Sequence, residues 1–395
     1  MSKKKLCFIC PWMHNDGGLQ RVVSNLANMM VKKDYEVTVC IISVSTETPY
    51  YPLDSRIHVV HMPEAAFNKK DIVNRVFRKI LNYIELPIGT GLLKKIYYSP
   101  KRIQPLEQYL IKMKFDYVVA SCGDLSMLLA CINRKNIDSK LIGWQHNSFD
   151  AYFEKKGQYY YGRKSLAKKL YSNLDQMICL TEKDRRIYSN KLGVKSQCIY
   201  NPLTFETFEK ANVRKNKSLL FVGRLEWEQK GLGLFIDILE RFFADSRSND
   251  WNALVIGDGT DRKLFEEALK KNKLDHRVIM TGKIRDVERE YVKGSILLNT
   301  SQWEGFGLVI TEAMECGLPV VAFSTDGPCE IISEGIDGYL IPKYNIAMFA
   351  EKLLELAENL EKRKTMSQNA IQKAETFSKG NIMKQWETMF MKMNK

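Results

Sequence analysis

Residues 304–312 read EGFGLVITE, in which two carboxylates, Glu304 and Glu312, stand on either side of a glycine–phenylalanine–glycine turn. The apolar run Ile296–Asn299 precedes this stretch and is typical of a buried strand. The apolar residues after the turn predict a helix that runs to Cys316 and ends at a Gly-Leu-Pro sequence. A strand, a glycine turn and a helix in this order predict a βα unit with its turn at the carboxyl end of the strand.

The same alternation of short apolar runs and longer amphipathic segments continues through all 395 residues. It predicts an α/β fold with right-handed βαβ units, in which parallel sheets carry helices on both faces. The predicted strands are 6–10, 36–42, 57–61, 117–120, 140–144, 176–180, 197–200, 218–222, 253–256, 278–281, 296–299 and 319–322.

The length of the chain predicts two domains, because one compact domain usually holds about 100–200 residues. A polar stretch, 205–217, separates two predicted strands, and we place the boundary before it. We therefore expect a first doubly wound domain at 1–202 and a second at 203–378. The amphipathic segment 379–395 is expected to pack back on the first domain. In open α/β folds ligands bind at the carboxyl ends of the strands, so a cleft between two such domains is the expected site.

The positive charge lies in the first half of the chain. Residues 1–202 contain 32 Lys and Arg against 17 Asp and Glu, whereas residues 203–395 contain 28 against 29. Residues 69–114 contain 11 basic and 3 acidic residues among apolar ones, which favours contact with an anionic membrane surface. An amphipathic helix packed on its own domain explains the pattern as well. No nucleic-acid-binding signature is present, so we expect no nucleic acid partner.

Two other classes of protein are disfavoured. No apolar run approaches the roughly 18–20 residues that span a bilayer. The basic start of the chain is followed by only five apolar residues, 6–10, which is too few for a signal peptide. Nine scattered cysteines fit a reducing compartment. Cys7 and Cys10 form a C-x-x-C pair, but the position of Cys7 inside a predicted strand argues against redox activity. We expect a cytoplasmic protein.

Three elements are suited to phosphate. Gly17 and Gly18 open a helix after the first strand, although such a pair also fits a plain tight turn. Arg224 and Lys230 follow the strand 218–222 and could hold a diphosphate, unless they are ordinary surface charges. The amides of Leu308 and Val309 lie at a predicted helix start.

The two carboxylates also fit a glycosidase, whose carboxyl groups stand about 5–9.5 Å apart. The phosphate-binding elements around them argue against hydrolysis of a neutral glycan. They favour an activated sugar, with cations for its phosphates and carboxylates for its hydroxyls.

Taken in order, these motifs resemble the family 4 retaining glycosyltransferases, which have the GT-B architecture of two Rossmann-like domains. The resemblance extends over nearly the whole chain. It rests on the glycine turn at 17–21, the G-R…K-G element at 223–231, the Gly-Asp-Gly at 257–259, Thr281-Gly282, the E-x7-E motif at 304–312, Asp326-Gly327-Pro328 and residues 337–340.

The resemblance implies a role for each matching residue. Arg224 and Lys230 would bind the nucleotide diphosphate and stabilise the departing phosphate, Glu304 would bind the donor sugar, and Glu312 would bind the ribose. His146 would approach the donor sugar, although a structural histidine is possible. The remaining expected donor contacts are Gly17, Gly18, Gly282, Lys283, Ile284, Gly305, Phe306, Gly307, Leu308 and Val309.

Neither a metal nor another cofactor is implied, because GT-B enzymes generally need none and no Asp-x-Asp pair or Cys/His cluster is evident. No general base is assigned, since front-face attack lets the donor phosphate take the acceptor proton. Asp124 and Asp150 fit either acceptor-side groups or a turn or helix cap.

The resulting expectation is a retaining transferase of a hexose or N-acetylhexosamine. Its donor would be a nucleotide sugar, a UDP-sugar rather than a GDP-sugar, and its acceptor a lipid-linked or surface glycan in capsule, exopolysaccharide or lipopolysaccharide synthesis. It would lie on the inner face of the plasma membrane. The alternatives are an inactive GT-B-like scaffold subunit and a nucleotide-sugar epimerase.

Overall fold

The computed structural model describes residues 3–43, 45, 47–62, 77–84 and 88–394. The chain divides into two compact units, each with its own parallel sheet. The first unit comprises Met1–Pro202 together with Ile382–Lys395, and the second comprises Leu203–Asn381. Both are Rossmann-like α/β folds, as the alternation of apolar runs predicts.

The first unit is built on a seven-stranded sheet in which every neighbouring pair is parallel. The strand order is β3-β2-β1-β4-β5-β6-β7, so the order reverses between β1 and β4, as in a doubly wound sheet. The strands are β1 (Lys5–Cys10), β2 (Glu36–Ile42), β3 (His58–Met62), β4 (Tyr117–Ala120), β5 (Lys140–Trp144), β6 (Gln176–Cys179) and β7 (Ser196–Cys198).

Helices connect these strands and cover the sheet. Short 3₁₀ and π turns occur at Arg134–Asn136 and Asp150–Glu154. The α-helices are α1 (Gly18–Lys32), α2 (Thr90–Tyr97), α3 (Pro100–Met113), α4 (Gly123–Leu129), α5 (Lys164–Tyr171) and α6 (Glu182–Leu192).

The last helix, α15 (Lys379–Met393), completes the core of the first unit. The ring of Trp386 lies 5.1 Å from that of Trp144, and Phe390 stacks on Tyr117 at 4.1 Å. Both aromatic residues of α15 are buried, as expected for the apolar face of an amphipathic helix. The C-terminal residues therefore belong to the hydrophobic core that the first 202 residues begin.

The second unit has a six-stranded parallel sheet in the order β10-β9-β8-β11-β12-β13. Its strands are β8 (Ser218–Val222), β9 (Asn252–Ile256), β10 (Val278–Gly282), β11 (Ile296–Asn299), β12 (Val320–Phe323) and β13 (Gly338–Ile341). Its helices are α7 (Trp227–Lys230), α8 (Leu232–Phe243), α9 (Arg262–Lys271), α10 (Glu288–Tyr291), α11 (Leu308–Glu315), α12 (Asp326–Ile331), α13 (Ile346–Glu358) and α14 (Leu360–Ala374), with 3₁₀ turns at Ser246–Ser248 and Glu375–Phe377.

The structure adds one strand to those predicted. Residues 338–341 form β13, which pairs with β12, whereas the sequence indicated only a motif there. A glycine opens this strand and a proline follows it, and both residues are more typical of turns than of strands. The strand predicted at 197–200 is also shorter, because it ends at Cys198.

The basic segment 69–114 is described only in part, since residues 69–76 and 85–87 lie outside the described ranges. The remainder contains α2 and α3. Helix α2 buries Leu93, Ile96 and Tyr97 against its own unit, while Leu92 is exposed. Within the described part of the chain, no helix combines the length and the apolar character needed to cross a membrane.

Candidate functional site

In the second unit, three loops at the carboxyl ends of β8, β9 and β10 are joined by backbone hydrogen bonds. The amide of Gly223 donates to Ile256 O at 3.0 Å, and the amide of Gly257 donates to Gly282 O at 2.9 Å. Gly257 has φ 143°, and a Cβ there would stand 1.9 Å from Gly223 O. Only glycine permits this approach, so the loop that carries Arg224 rests on a fixed backbone.

Arg224 projects from this loop into solvent. Its side chain is 64% exposed, and Nη1 lies 2.7 Å from Oε1 of Glu226. An exposed pair of this kind contributes little to stability, so the guanidinium can exchange its partner for a phosphate at small cost. The forked geometry of arginine suits that ligand.

Lys230 ends α7 and is largely enclosed. Its Nζ lies 2.5 Å from Oε1 of Glu304, and both side chains are 12% exposed. The hydroxyl of Ser301 donates to the same carboxylate oxygen at 2.8 Å. Gly231, with φ 62°, turns the chain directly after the lysine. The structure thus joins a cation and a carboxylate to which the family resemblance assigns separate ligand groups.

Close packing contacts fix the turn between the two carboxylates. Phe306 is buried and lies 5.7 Å from the ring of Phe377. Gly307 has φ 103° and precedes the first residue of α11, Leu308. Gly327 lies so close that a Cβ there would stand 2.1 Å from Phe306 O. The amide groups of Leu308 and Val309 open the helix, where the helix dipole favours an anion.

Glu312 lies inside α11 and is buried, with 4% exposure. Thr204 donates to its Oε1 at 2.6 Å, and the hydroxyl of Tyr291 donates to its Oε2 at 2.7 Å. Hydrogen bonds to both oxygens fix the orientation of the carboxylate. No sequence pattern indicates Thr204 or Tyr291, because each lies far from Glu312 along the chain.

Gly282 ends β10, and Lys283 and Ile284 follow it; all three are among the expected donor contacts. Gly282 has φ 73° and is buried, whereas Lys283 is exposed. The loop therefore begins with a glycine turn at the same sheet edge as Arg224.

In the first unit, Gly17 ends the loop that connects β1 to α1, and Gly18 is the first residue of α1. Gly17 is the residue before the helix and has no side chain to cap it. Gln20 presses against it, since a Cβ at Gly17 would stand 2.3 Å from Gln20 Oε1. Gln20 also donates to Trp12 O at 3.1 Å. The exposed amide end of a fifteen-residue helix is thus present at this edge.

His146 follows β5 at the same sheet edge and is partly buried. Its ring lies 4.3 Å from that of Trp144, and Nε2 has no hydrogen-bond partner among the described residues. Burial lowers the pKa of His146 to about 3. The imidazole is therefore neutral at pH 7 and can accept or donate one hydrogen bond through Nε2.

Asp124 and Asp150 differ in their surroundings. Asp150 is exposed and pairs loosely with Lys183 at 3.4 Å. Asp124 lies in the first turn of α4, after the residue in the cap position, Cys122. Its prediction as a helix cap is wrong, because arginine side chains surround it instead. Among the described residues, no group of three or more His, Cys, Asp or Glu could hold a metal ion.

The C-x-x-C pair is not built for redox chemistry. Cys7 and Cys10 are fully buried in β1 as free thiols, and burial raises the pKa of each. A protonated, inaccessible thiol is a poor nucleophile.

Comparisons with known proteins match both halves of the chain. Residues 16–206 match Glycosyltransferase Family 4, and residues 204–373 match Glycosyl transferases group 1. The chain is 26% identical over 391 residues to the amylovoran biosynthesis glycosyltransferase AmsD of Erwinia amylovora, covering 97% of this chain and 98% of the relative.

Two further similarities extend over the full length. A Campylobacter jejuni α-1,4-N-acetyl-D-galactosaminyltransferase, whose name gives an undecaprenol-linked acceptor, is 25% identical over 392 residues, which are 97% of each chain. The structure of a TarM variant from S. aureus with bound UDP superposes with a TM-score of 0.75 at 17% identity, covering 98% of this chain and 99% of that one.

Proposed function

Since this chain belongs to the GT-B glycosyltransferases of family 4, we propose that it transfers a hexose or N-acetylhexosamine from a UDP-sugar, with retention of configuration, to a glycan acceptor. The observation that carries this proposal is the Lys230–Glu304 pair beside the start of α11. The pair provides a cation for phosphate and a carboxylate for sugar hydroxyls, and the two groups are in direct contact and largely shielded from solvent. The name of the AmsD relative and the UDP in the TarM complex support surface polysaccharide synthesis and a uridine donor.

In the proposed reaction, the bond between the sugar C1 and the diphosphate oxygen breaks as the acceptor oxygen bonds to C1 on the same face. The acceptor proton passes to the departing diphosphate. Arg224, Lys230 and the first amides of α11 stabilise the negative charge that develops there. His146, neutral at pH 7, is proposed to hydrogen-bond the sugar rather than to act as a base. The remaining glycine-loop residues are proposed to hold the nucleotide.

We propose that no metal takes part, because two side-chain cations and a helix start supply the positive charge. Turnover is therefore expected to be unchanged by EDTA. A loss of activity on chelation that Mg²⁺ or Mn²⁺ restores would contradict this part of the proposal.

The acceptor is proposed to be lipid-linked and reached at an anionic membrane surface. Among the described residues 77–84 and 88–98, four large apolar side chains are exposed: Ile80, Tyr83, Ile84 and Leu92. Lys79 and Lys95 are exposed beside them. Exposed apolar and basic side chains together suit the headgroup region of an anionic bilayer.

Liposome sedimentation tests this surface. We expect binding to phosphatidylglycerol vesicles but not to phosphatidylcholine vesicles, and we expect Tyr83→Ser with Leu92→Ser to weaken it. Phe208→Ser is a matched control, because Phe208 is a fully exposed aromatic residue of the second unit. Equal binding of the double variant and wild type would remove this surface from the proposal.

A panel of UDP- and GDP-sugars tests the central proposal by thermal shift and slow hydrolysis. A bound donor stabilises the folded protein by about 2.7 kcal/mol at a hundredfold excess over its dissociation constant. One UDP-sugar is expected to raise the melting temperature of wild type but not of Glu312→Ala. Isomerisation of that donor without acceptor would favour the epimerase, and no shift with any donor would favour an inactive scaffold.

A further inference from the structure

We propose that three arginines of the first unit, Arg78, Arg102 and Arg163, form a binding site for a phosphate or diphosphate group on the acceptor. These residues, with Asp124 between them, are called the arginine cluster below. The inference rests on the proposed function, because it names the chemistry by which the acceptor is held.

The geometry of the arginine cluster centres on one carboxylate. Nη2 of Arg102 lies 2.5 Å from Oδ2 of Asp124, and Nη1 of Arg163 lies 3.4 Å from Oδ1. The hydroxyl of Tyr98 also donates to Oδ1, at 2.9 Å. The 3.4 Å contact is long for a charge-assisted hydrogen bond, so Asp124 satisfies Arg163 only in part.

The positive charge of the arginine cluster is not balanced locally. Arg78 donates from Nε to the carbonyl of Ile96 at 2.8 Å and has no carboxylate partner among the described residues. Burial and the positive charges of Arg102 and Arg163 lower the pKa of Arg78. Partly buried like charges of this kind are costly unless an anion compensates them.

Arg163 supplies an unused donor. Its side chain is 10% exposed, and its Nε is buried without a hydrogen-bond partner among the described residues. The guanidinium lies 3.8 Å from the ring centre of Tyr97 and 5.4 Å from that of Tyr160. The two rings hold the guanidinium plane in place through cation–π contacts. A planar, preorganised guanidinium is suited to two oxygens of a phosphate.

The arginine cluster also has an opening to solvent. The side chain of Asp124 is 26% exposed and that of Arg102 is 16% exposed. A small anion can therefore reach the guanidinium groups from the Asp124 side without unfolding the unit.

The position of the arginine cluster connects it with the proposed acceptor side. Asp124 follows β4, which lies between β1 and β5 in the sheet. Gly123 stands so close to Gln145 that a Cβ there would lie 3.1 Å from Gln145 Oε1, and Gln145 directly precedes His146. The arginine cluster is thus adjacent to the strand end that carries the proposed sugar-contacting histidine.

Calorimetry with inorganic pyrophosphate is the first test. Because the proposed donor site would also bind this anion, the titration is done on Lys230→Ala as well as on wild type. We expect Lys230→Ala to retain a pyrophosphate site and Arg78→Gln in that background to weaken it by about tenfold, the usual loss when a hydrogen bond to a charged group is removed. Arg134→Gln is the matched control, because Arg134 is a partly buried arginine of the same unit paired with Asp175.

The outcomes distinguish pyrophosphate binding at the arginine cluster from pyrophosphate binding at the donor site. Loss of all pyrophosphate binding in Lys230→Ala, with normal binding in Arg78→Gln, would assign the anion to the donor site and overturn the inference. Asp124→Asn removes the internal competitor, so we expect tighter pyrophosphate binding. Weaker or unchanged binding in Asp124→Asn would mark the arginine cluster as a purely structural ion pair. A UDP-sugar thermal shift on Arg78→Gln and Asp124→Asn, in which Lys230 is intact, reports the proposed function independently.

A second arm distinguishes an acceptor group from free phosphate. Farnesyl diphosphate in detergent micelles is compared with farnesol and with pyrophosphate on the Lys230→Ala variant. Farnesyl diphosphate is expected to bind at least as tightly as pyrophosphate and about tenfold more weakly when Arg78→Gln is added to Lys230→Ala. Farnesol is expected not to bind. Binding of pyrophosphate with exclusion of farnesyl diphosphate would contradict the assignment to an acceptor.

Discussion

The ammonium of Lys230 lies 2.5 Å from Oε1 of Glu304, although 74 residues separate them in the chain. Both side chains are 12% exposed, so each is the main counterion of the other in a weakly solvated place. A donor whose diphosphate binds Lys230 and whose sugar binds Glu304 would replace the one ion pair between these residues with two contacts to the donor. The pair thereby holds both side chains in a fixed orientation before the substrate arrives.

Removing one member of this pair is expected to reduce stability and activity together. Lys230→Met leaves a poorly solvated carboxylate unpaired, which costs about 3 kcal/mol of the free energy of unfolding. The double variant Lys230→Met with Glu304→Gln is expected to recover most of that loss and remain inactive. Chemical denaturation and a transfer assay check this. A double variant no more stable than Lys230→Met would contradict the charge-pairing explanation.

Tyr291 is expected to act as a positioning residue for Glu312. Tyr291→Phe removes the 2.7 Å hydrogen bond to Oε2, which contributes about 1.5 kcal/mol or more because the acceptor is charged. We expect a several-fold rise in KM for the nucleotide sugar with a smaller change in kcat. Tyr339→Phe is a control, since its hydroxyl donates to Glu355 at 2.9 Å elsewhere in the second unit. Equal effects of both variants on KM would contradict a positioning role.

Two glycines with nearly the same backbone conformation differ in the space around them. Comparing their alanine variants separates the cost of the left-handed conformation from the cost of a steric clash. Gly231 has φ 62° and Gly193 has φ 67°. A Cβ at Gly231 would stand 2.3 Å from Thr300 O, whereas a Cβ at Gly193 meets nothing within 4 Å. Gly193→Ala is expected to cost about 1 kcal/mol from the left-handed conformation alone. Gly231→Ala is expected to lower the free energy of unfolding by clearly more than Gly193→Ala, and to weaken donor binding by displacing Lys230. Similar free energies of unfolding for the two variants, measured by chemical denaturation, would refute this.

His146 is expected to make the protein sensitive to acid. Its pKa is lowered to about 3 by burial, while an unfolded histidine has a pKa of about 6.5. Between these values the unfolded state binds the extra proton, so His146 lowers stability progressively as the pH falls below about 6.5. The melting temperature of His146→Gln should therefore fall less between pH 7 and pH 5 than that of wild type. His276→Gln, at an exposed position, should behave as wild type.

Sequence alone could predict the elements whose signal is local. Strands such as Ile296–Asn299 are continuous apolar runs between polar residues, and their bounds agree with the structure. The start of α11 follows from Gly307, whose positive φ requires a glycine before the helix. The GT-B family could be inferred because several such local motifs occur in one order.

The partners of the site residues could not be predicted in the same way. Glu312 is held by Thr204 and Tyr291, from two other parts of the unit, and no periodic pattern marks a hydrogen bond of that kind. Arg78 and Arg102 lie in the basic segment 69–114, for which the sequence indicates surface charge, and no sequence signal marks Arg163. Their burial against tyrosine rings depends on packing between α2, α3 and α5, which the sequence does not encode locally.

Because α15 belongs to the core of the first unit, the second unit is in effect an insertion into the first. A ribosome making this chain N-terminus first would complete residues 203–381 before the first unit has received Trp386 and Phe390. The unit begun first is therefore finished last, once Trp386 and Phe390 have left the ribosome. Expression of 1–202 alone should yield an incompletely packed, aggregation-prone fragment, whereas 203–381 contains a whole sheet and its covering helices and can mature on its own.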